Sequence, residues 1–223
     1  MRAPDAGPPA RGAASQRQEP TLFPEDRPPA PQLESPLAMP LGAVPLLAGA
    51  EADALLEELL TSVPWERHVF RIFGREHPMP RGIAWYGEHP LGYSGLRHAA
   101  RAMPTSVRQL AGQLEERTGQ PLNGVLLNLY RDGSESMGWH SDDDFEAGPH
   151  RGIASVSLGA ARTMRVRARR GGGPSVGDEL PHGSLLWMPP GFQELHQHAI
   201  PKTRRPLGPR VNLTFRWMAR PNA

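Results

Sequence analysis

The sequence predicts an α+β domain whose centre is a β-sandwich or barrel, with a tail ahead of it. Two observations carry the fold class. Two amphipathic helical stretches come early, and from residue 123 onward the texture changes to short apolar runs separated by turn residues. Helices first and strands later is the order of an α+β arrangement around a sandwich or barrel. A third observation sets the boundary. Residues 1–40 are rich in Pro, Ala, Gly and charge, with few large apolar side chains. They read as a disordered tail, which assigns the folded domain to residues 41–223.

Within the tail, "QEPTLFP" (18–24) is either a short docking peptide or an incidental apolar pair. "EADALLEELLTSVPW" (51–65) places Leu55, Leu56, Leu59 and Leu60 at helical spacing, and Pro64 ends it. "PTSVRQLAGQLEERTG" (104–119) is a second amphipathic helix, with Thr105 or Ser106 as candidate caps and Gly119 as its stop. The runs 123–130, 153–169, 183–189 and 210–218 read as strands. No internal repeat is visible.

Composition narrows the chemistry. The 223 residues suffice for one sizeable domain plus a tail. There are no cysteines, which excludes disulfides, Cys-ligated zinc and iron–sulfur clusters. The N-terminus lacks the apolar core of a secretory signal, and no run of about 18 apolar residues suggests a membrane span. A cytoplasmic location, nucleoid-associated if the source is bacterial, and a monomer are expected. Formal net charge is +2, but it is uneven. From Arg162 to Arg216, nine arginines and Lys202 face Asp178, Glu179 and Glu194, a net of +7. A basic half points to a polyanionic partner or to a solvated basic surface.

"GWHSDDDF" (138–145) carries three adjacent aspartates, Asp142, Asp143 and Asp144, directly after a histidine and a serine. In extended chain, His140 and Asp142 face the same way. One imidazole and one carboxylate make two-thirds of a 2-His-1-carboxylate facial triad, the arrangement that leaves open positions on non-haem Fe(II). H-x-D also arises often by chance. The second histidine must come from elsewhere: "ELHQHAIP" offers His196 and His198 on one face, and His150 and His182 are further candidates. Periodicity does not choose among them.

In "RVNLTFRW" (210–217), Arg210, Asn212, Thr214 and Arg216 alternate strictly with Val211, Leu213, Phe215 and Trp217. The polar face either meets water or lines a barrel interior. Two interior guanidiniums need anions, and a dicarboxylate carries one at each end. Asn128 and Tyr130 form another polar i, i+2 pair able to donate to such a ligand.

Taken in order, "LLNLYRDGSESMGWHSDDD", "IASVSLGAARTMRVR", "LPHGSLLWMPP", "HQHAIP" and "PRVNLTFR" resemble the AlkB family of Fe(II)/2-oxoglutarate-dependent nucleic-acid dioxygenases. The likeness runs from about residue 45 to the C-terminus. "VFRIFGREHPMPR", "WYGE" and "YSG" are similar to the front section of the subgroup that repairs double-stranded DNA. The resemblance implies a double-stranded β-helix, or jelly roll, with outer helices. It implies Fe(II), 2-oxoglutarate and O2, and oxidative demethylation of 1-methyladenine and 3-methylcytosine with release of formaldehyde and succinate. The partner would be alkylated DNA, with RNA or protein as the alternative substrate.

Carried over by residue, the resemblance implies His140, Asp142 and His198 as iron ligands, His198 being preferred to His196 because it sits three residues before Pro201. Arg210 would bind the distal carboxylate of 2-oxoglutarate and Arg216 would lie near its C1 carboxylate. Asn128, Tyr130, Asn212 and Thr214 would complete that pocket. Asp144 would contact the target base, leaving Asp143 solvated. Phe73 would fill the gap left by a flipped base, its alternative being a buried strand residue. Trp85 and Tyr86 would stack on or hydrogen-bond the base. Arg167, Arg169, Arg170, Lys202, Arg204 and Arg205 would grip phosphates. The loop in "RVRARRGGGPS" (165–175) looks shorter than its counterpart in the double-strand subgroup. A jelly-roll binding module without catalysis is the remaining reading, and the complete set of metal and co-substrate positions argues against it.

Overall fold

A computed structural model describes residues 42–72, 75–93, 96–143, 151–170 and 173–219. The expected tail, Phe73, Asp144 and His150 lie outside the described residues. In chain order the elements are β1 (Val44–Pro45), α1 (Gly49–Ser62), β2 (Val69–Ile72), β3 (Arg75–Pro78), β4 (Gly82–Gly87), β5 (Leu91–Tyr93), β6 (Leu96–His98) and α2 (Thr105–Thr118). Then come β7 (Gly124–Tyr130), β8 (Met137–His140), β9 (Ile153–Gly159), β10 (Arg162–Ala168), β11 (Val176–Leu180), β12 (Ser184–Met188), α3 (Phe192–Leu195), β13 (His196–Ile200) and β14 (Arg210–Arg216).

Both long helices form where the leucine spacing puts them. α1 opens where the Glu51 carboxylate accepts the Ala48 amide at 2.9 Å, and its C-cap, Val63, precedes Pro64. α2 differs from expectation at its start. Pro104 takes the cap position with no side-chain cap bond. The Ser106 hydroxyl instead donates to Glu58 of α1 at 2.7 Å, tying the helices together. Gly119 ends α2 in the left-handed region at φ 67°, which glycine adopts without a Cβ penalty.

Six strands form an antiparallel sheet in the order β1-β12-β9-β14-β7-β4, and four form a second in the order β11-β10-β13-β8. Leu55 and Leu59 of α1 and Val107, Leu110 and Leu114 of α2 pack on the six-stranded sheet, against Val211, Leu213 and Phe215 of β14. Each such fully buried side chain contributes about 1.5–3 kcal/mol. The inner faces of the two sheets meet through Tyr130, Leu186 and Met188 on one side and Met164, Val166 and Ile200 on the other. The result is the expected jelly-roll sandwich with helices outside.

The apolar run 153–169 is two strands rather than one. Gly159 sits at φ 84°, and a Cβ there would press on the Pro209 carbonyl, so the chain turns between β9 and β10. β10 then passes into the smaller sheet, where it pairs with β11 and β13. β2–β3 and β5–β6 are separate two-stranded sheets.

Candidate metal and co-substrate centre

Strand pairing assembles the metal candidates. β13 pairs antiparallel with β8, and His198 lies directly opposite His140. Their ring centroids are 4.2 Å apart. Asp142 follows β8 and turns back between them. Its Oδ1 is 3.7 Å from His140 Nε2 and its Oδ2 is 4.0 Å from His198 Nε2. One ligand atom from each residue lies within 4.8 Å of the others. A divalent ion held at 2.0–2.2 Å by neighbouring ligands sets them roughly 3.0–3.5 Å apart, so a small closure completes the set.

The surroundings orient these groups. His140 Nδ1 is 2.9 Å from the Gly138 carbonyl, which leaves Nε2 toward the centre, the usual division of labour in a metal-bound imidazole. The Asp142 amide donates to Gln193 Oε1 at 2.9 Å. Burial pushes the Asp142 carboxyl upward, but Arg216, 3.6 Å from Oδ2, together with His198, His140 and Arg81, outweighs it and holds the group below its ordinary value. Burial pulls His198 down to about 4, with the Asp142 charge opposing and His140 and Arg216 reinforcing. The carboxylate is therefore ionised and His198 neutral near pH 7, the states a metal requires.

Of the four alternative histidines, only His198 joins His140 and Asp142 among the described residues. His196 stacks on Phe192 at 4.8 Å. His182 accepts the Gly159 amide at 2.8 Å and sits 3.2 Å from Asp53, holding the turn after β9.

The polar face of β14 turns inward. β14 is central, flanked by β7 and β9, and Arg210, Thr214 and Arg216 are buried, with Arg210 only 1% exposed. They line one cavity with Asn128, Tyr130 and the triad. Arg210 donates to Ser157 Oγ at 2.9 Å and lies 5.2 Å from the Tyr130 ring centroid. Its Nε and Nη1 are buried without a hydrogen-bond partner. Burial pulls its pKa to about 10, so it remains a cation. A buried cation with unused donors in a cavity fits a carboxylate ligand. Asn212 also lines the cavity, but its amide nitrogen is committed to Ser155 and the Val156 carbonyl at 2.8 and 3.0 Å. Its oxygen accepts from Thr214 at 3.2 Å.

One cavity residue carries no signal in the sequence. Arg81, buried just before β4, donates to Asn128 Oδ1 at 2.7 Å and is a third arginine in the cavity wall. It follows "HPMP", where no periodicity marks it. Gln193 goes unmarked for the same reason.

Trp85 and Tyr86 do not line the cavity. Trp85 lies in an apolar cluster with Ile83, Leu126 and Met218, and its Nε1 donates to the His89 carbonyl at 2.9 Å. Tyr86, on the opposite strand face, packs in the helix-side core. Asp143 is not simply solvated, because Arg169 pairs with it. Arg167 donates to Gln197 at 2.9 Å and lies 4.2 Å over the Trp139 ring. Arg170, Lys202, Arg204 and Arg205 are exposed.

Comparison with known proteins agrees with this geometry. A family model described as the 2OG-Fe(II) oxygenase superfamily matches residues 44–216. The chain is 39% identical over 176 residues to Alpha-ketoglutarate-dependent dioxygenase alkB homolog 3 of Mus musculus, covering 74% of this chain and 61% of that protein. It is 39% identical over 183 residues to DNA oxidative demethylase ALKBH2 of Mus musculus, covering 77% of each. Against the Homo sapiens ALKBH2 the identity is 38%, covering 77% of this chain and 70% of that protein. The chain thus spans 61% of the length of the mouse homolog 3 protein and 59% of the Rattus norvegicus one. The solved structure of OsALKBH1 matches with a TM-score of 0.56 at 16% identity, covering 81% of this chain and 100% of that one, a likeness of fold alone. With the family model matching from β1 to the end of β14 and relatives at this identity over most of its length, the chain belongs to the 2OG-Fe(II) oxygenase superfamily, among its AlkB homologues.

Proposed function

We propose that this chain is an Fe(II)/2-oxoglutarate-dependent dioxygenase that removes N-methyl groups from alkylated bases in DNA. One observation carries the reading: a single cavity holds a 2-His-1-carboxylate set and, beside it, a buried arginine with unused donors. The DNA oxidative demethylases among its relatives supply the substrate class.

His140, Asp142 and His198 would hold Fe(II) on one face, leaving the positions opposite open. When bound, iron with 2-oxoglutarate and O2 supplies the oxidation of a substrate methyl C–H to C–OH, with succinate and CO2 as co-products. Arg210 would anchor the distal carboxylate of 2-oxoglutarate through its unused N–H groups, and Tyr130 stands against the same guanidinium. Arg216 holds Asp142 ionised and would offer positive charge to the C1 carboxylate of 2-oxoglutarate. Arg81 fixes Asn128. The apolar side chains between the sheets exclude water, which strengthens each of these charge interactions. The hydroxymethyl product on nitrogen then releases formaldehyde and leaves N–H on the repaired base. The N-methyl group blocks Watson–Crick pairing, so extruding the damaged base is easier than extruding a normal one. The exposed Arg170, Lys202, Arg204 and Arg205 would meet the phosphate backbone.

The test is reconstitution with Fe(II) under anaerobic conditions, followed by O2, 2-oxoglutarate and matched single- and double-stranded oligonucleotides bearing one 1-methyladenine. Loss of the methyl mass with formaldehyde release supports the reading. Succinate without demethylation of either oligonucleotide moves the substrate to RNA, protein or a small molecule. No succinate under any condition overturns the enzyme assignment.

A further inference from the structure

The β2–β3 and β5–β6 hairpins belong to neither main sheet. An isolated two-stranded hairpin is marginal in water, so their roots need fastening. Three side chains meet there. Glu66 precedes β2, its amide and carbonyl both bonded to Ile83 at 2.9 Å. His68 immediately precedes β2, and its carbonyl accepts the Met79 amide at 2.7 Å. His98 ends β6, paired with Leu91. The three offer one ligand atom each, all within 4.8 Å of one another.

The arrangement has metal-site dimensions. His68 Nε2 and His98 Nδ1 lie 3.0 and 3.6 Å from the same oxygen, Glu66 Oε2. Ligands 2.0–2.2 Å from a tetrahedral ion stand roughly 3.3–3.6 Å apart, so the His98 distance already matches, and the 3.0 Å His68–Glu66 hydrogen bond would open by a few tenths of an ångström to admit the ion. The two rings meet edge to face, with centroids 5.1 Å apart. Arg101 donates to the other carboxylate oxygen, Oε1, at 2.7 Å. That bond fixes the carboxylate plane and leaves Oε2 to the centre, the role outer partners play at metal sites. His98 supplies an independent sign. Its side chain is 6% exposed, its Nε2 has no hydrogen-bond partner, and its contact at Nδ1 is too long for a hydrogen bond. The Nδ1 edge of this buried imidazole faces Glu66 Oε2 across 3.6 Å, a separation that a cation bound to both atoms would bridge. Arg101 opposes a cation by charge; two imidazole nitrogens and a carboxylate favour it.

We infer that Glu66, His68 and His98 form a second divalent-metal site, of the zinc type suited to nitrogen and carboxylate ligands. It is separate from the His140, Asp142, His198 centre, and its fourth position would be left to water. Its ion staples the roots of the two hairpins and has no redox part.

The full-length chain carrying Asp142→Ala and His198→Ala lacks the first centre and isolates the second. After chelation and desalting it is titrated calorimetrically with Zn²⁺, and bound metal is counted by mass spectrometry. The expected result is one equivalent in this variant and two in the wild type. Adding His68→Ala weakens the remaining site by about 100-fold or abolishes it. His68 is partly exposed, so its loss leaves the core intact. His98→Ala, checked for folding by circular dichroism, must do the same. Hydrogen exchange in 69–78 and 91–98 slows on zinc addition. No zinc bound by the isolating variant overturns the inference, as does an equivalent that survives both His68→Ala and His98→Ala.

Discussion

Arg210→Met separates ligand binding from folding, because the two effects have opposite signs. Arg210 is a buried cation held by the Ser157 hydroxyl and the neighbouring Tyr130, with two nitrogens lacking a hydrogen-bond partner. Replacing an under-compensated buried ion with an apolar side chain is often neutral, or stabilising by about 1–4 kcal/mol. The melting temperature without ligand should therefore hold or rise. With 2-oxoglutarate at a hundred times its Kd, the wild type gains about 2.7 kcal/mol, a shift on the order of 5–10 °C for a domain of this size. Removing the guanidinium costs binding about 3–5 kcal/mol, which raises Kd by roughly 10²–10⁴-fold. At the same ligand concentration the shift should then fall to about 1 °C or less. The assay is thermal unfolding with Mn²⁺ in place of iron, so that no turnover occurs. A variant that keeps the full ligand shift would refute the anchoring role. One that melts many degrees lower without ligand, yet retains the shift, would make Arg210 a structural residue.

His140→Ala, Asp142→Ala and His198→Ala should each abolish turnover and iron retention, while His196→Ala keeps both. Bound iron counted after desalting, beside succinate yield, checks this. Arg216→Met should raise the acid limit of metal binding. Asp142 is held below 3.8 mainly by that guanidinium acting against burial. Without it the carboxyl protonates at higher pH, His198 loses a repelling charge, and metal is released earlier as pH falls. A pH series of Mn²⁺ binding that superimposes on wild type would sink the argument. Glu135→Ala should lower stability by about 2 kcal/mol, because this buried carboxylate accepts from Arg67 and, at 2.8 Å, from the Arg131 amide. Urea unfolding measures the change; a midpoint equal to wild type would show the network contributes nothing.

How much of the centre the sequence displays depends on how local each signal is. The alternation of β14 is local: period two alone marks Arg210, Asn212, Thr214 and Arg216 as one face. What period two leaves open is whether that face meets water, and the answer comes from β14 lying between β7 and β9 with a second sheet across the cavity. His140 and Asp142 are likewise visible as H-x-D. The third candidate ligand is not local. His196 and His198 share one strand face, so spacing treats them alike, and the choice falls to the β13–β8 register that sets His198 opposite His140. Arg81 has no local signal at all, since its reach to Asn128 is fixed by where β4 pairs with β7. The burial of Trp85 and Tyr86 is equally invisible locally. Their chemistry suits base contact, but a strand sends neighbours to opposite faces, and both faces of β4 are buried. Residue type proposes a role, and long-range strand register decides whether the side chain reaches the place where that role is played.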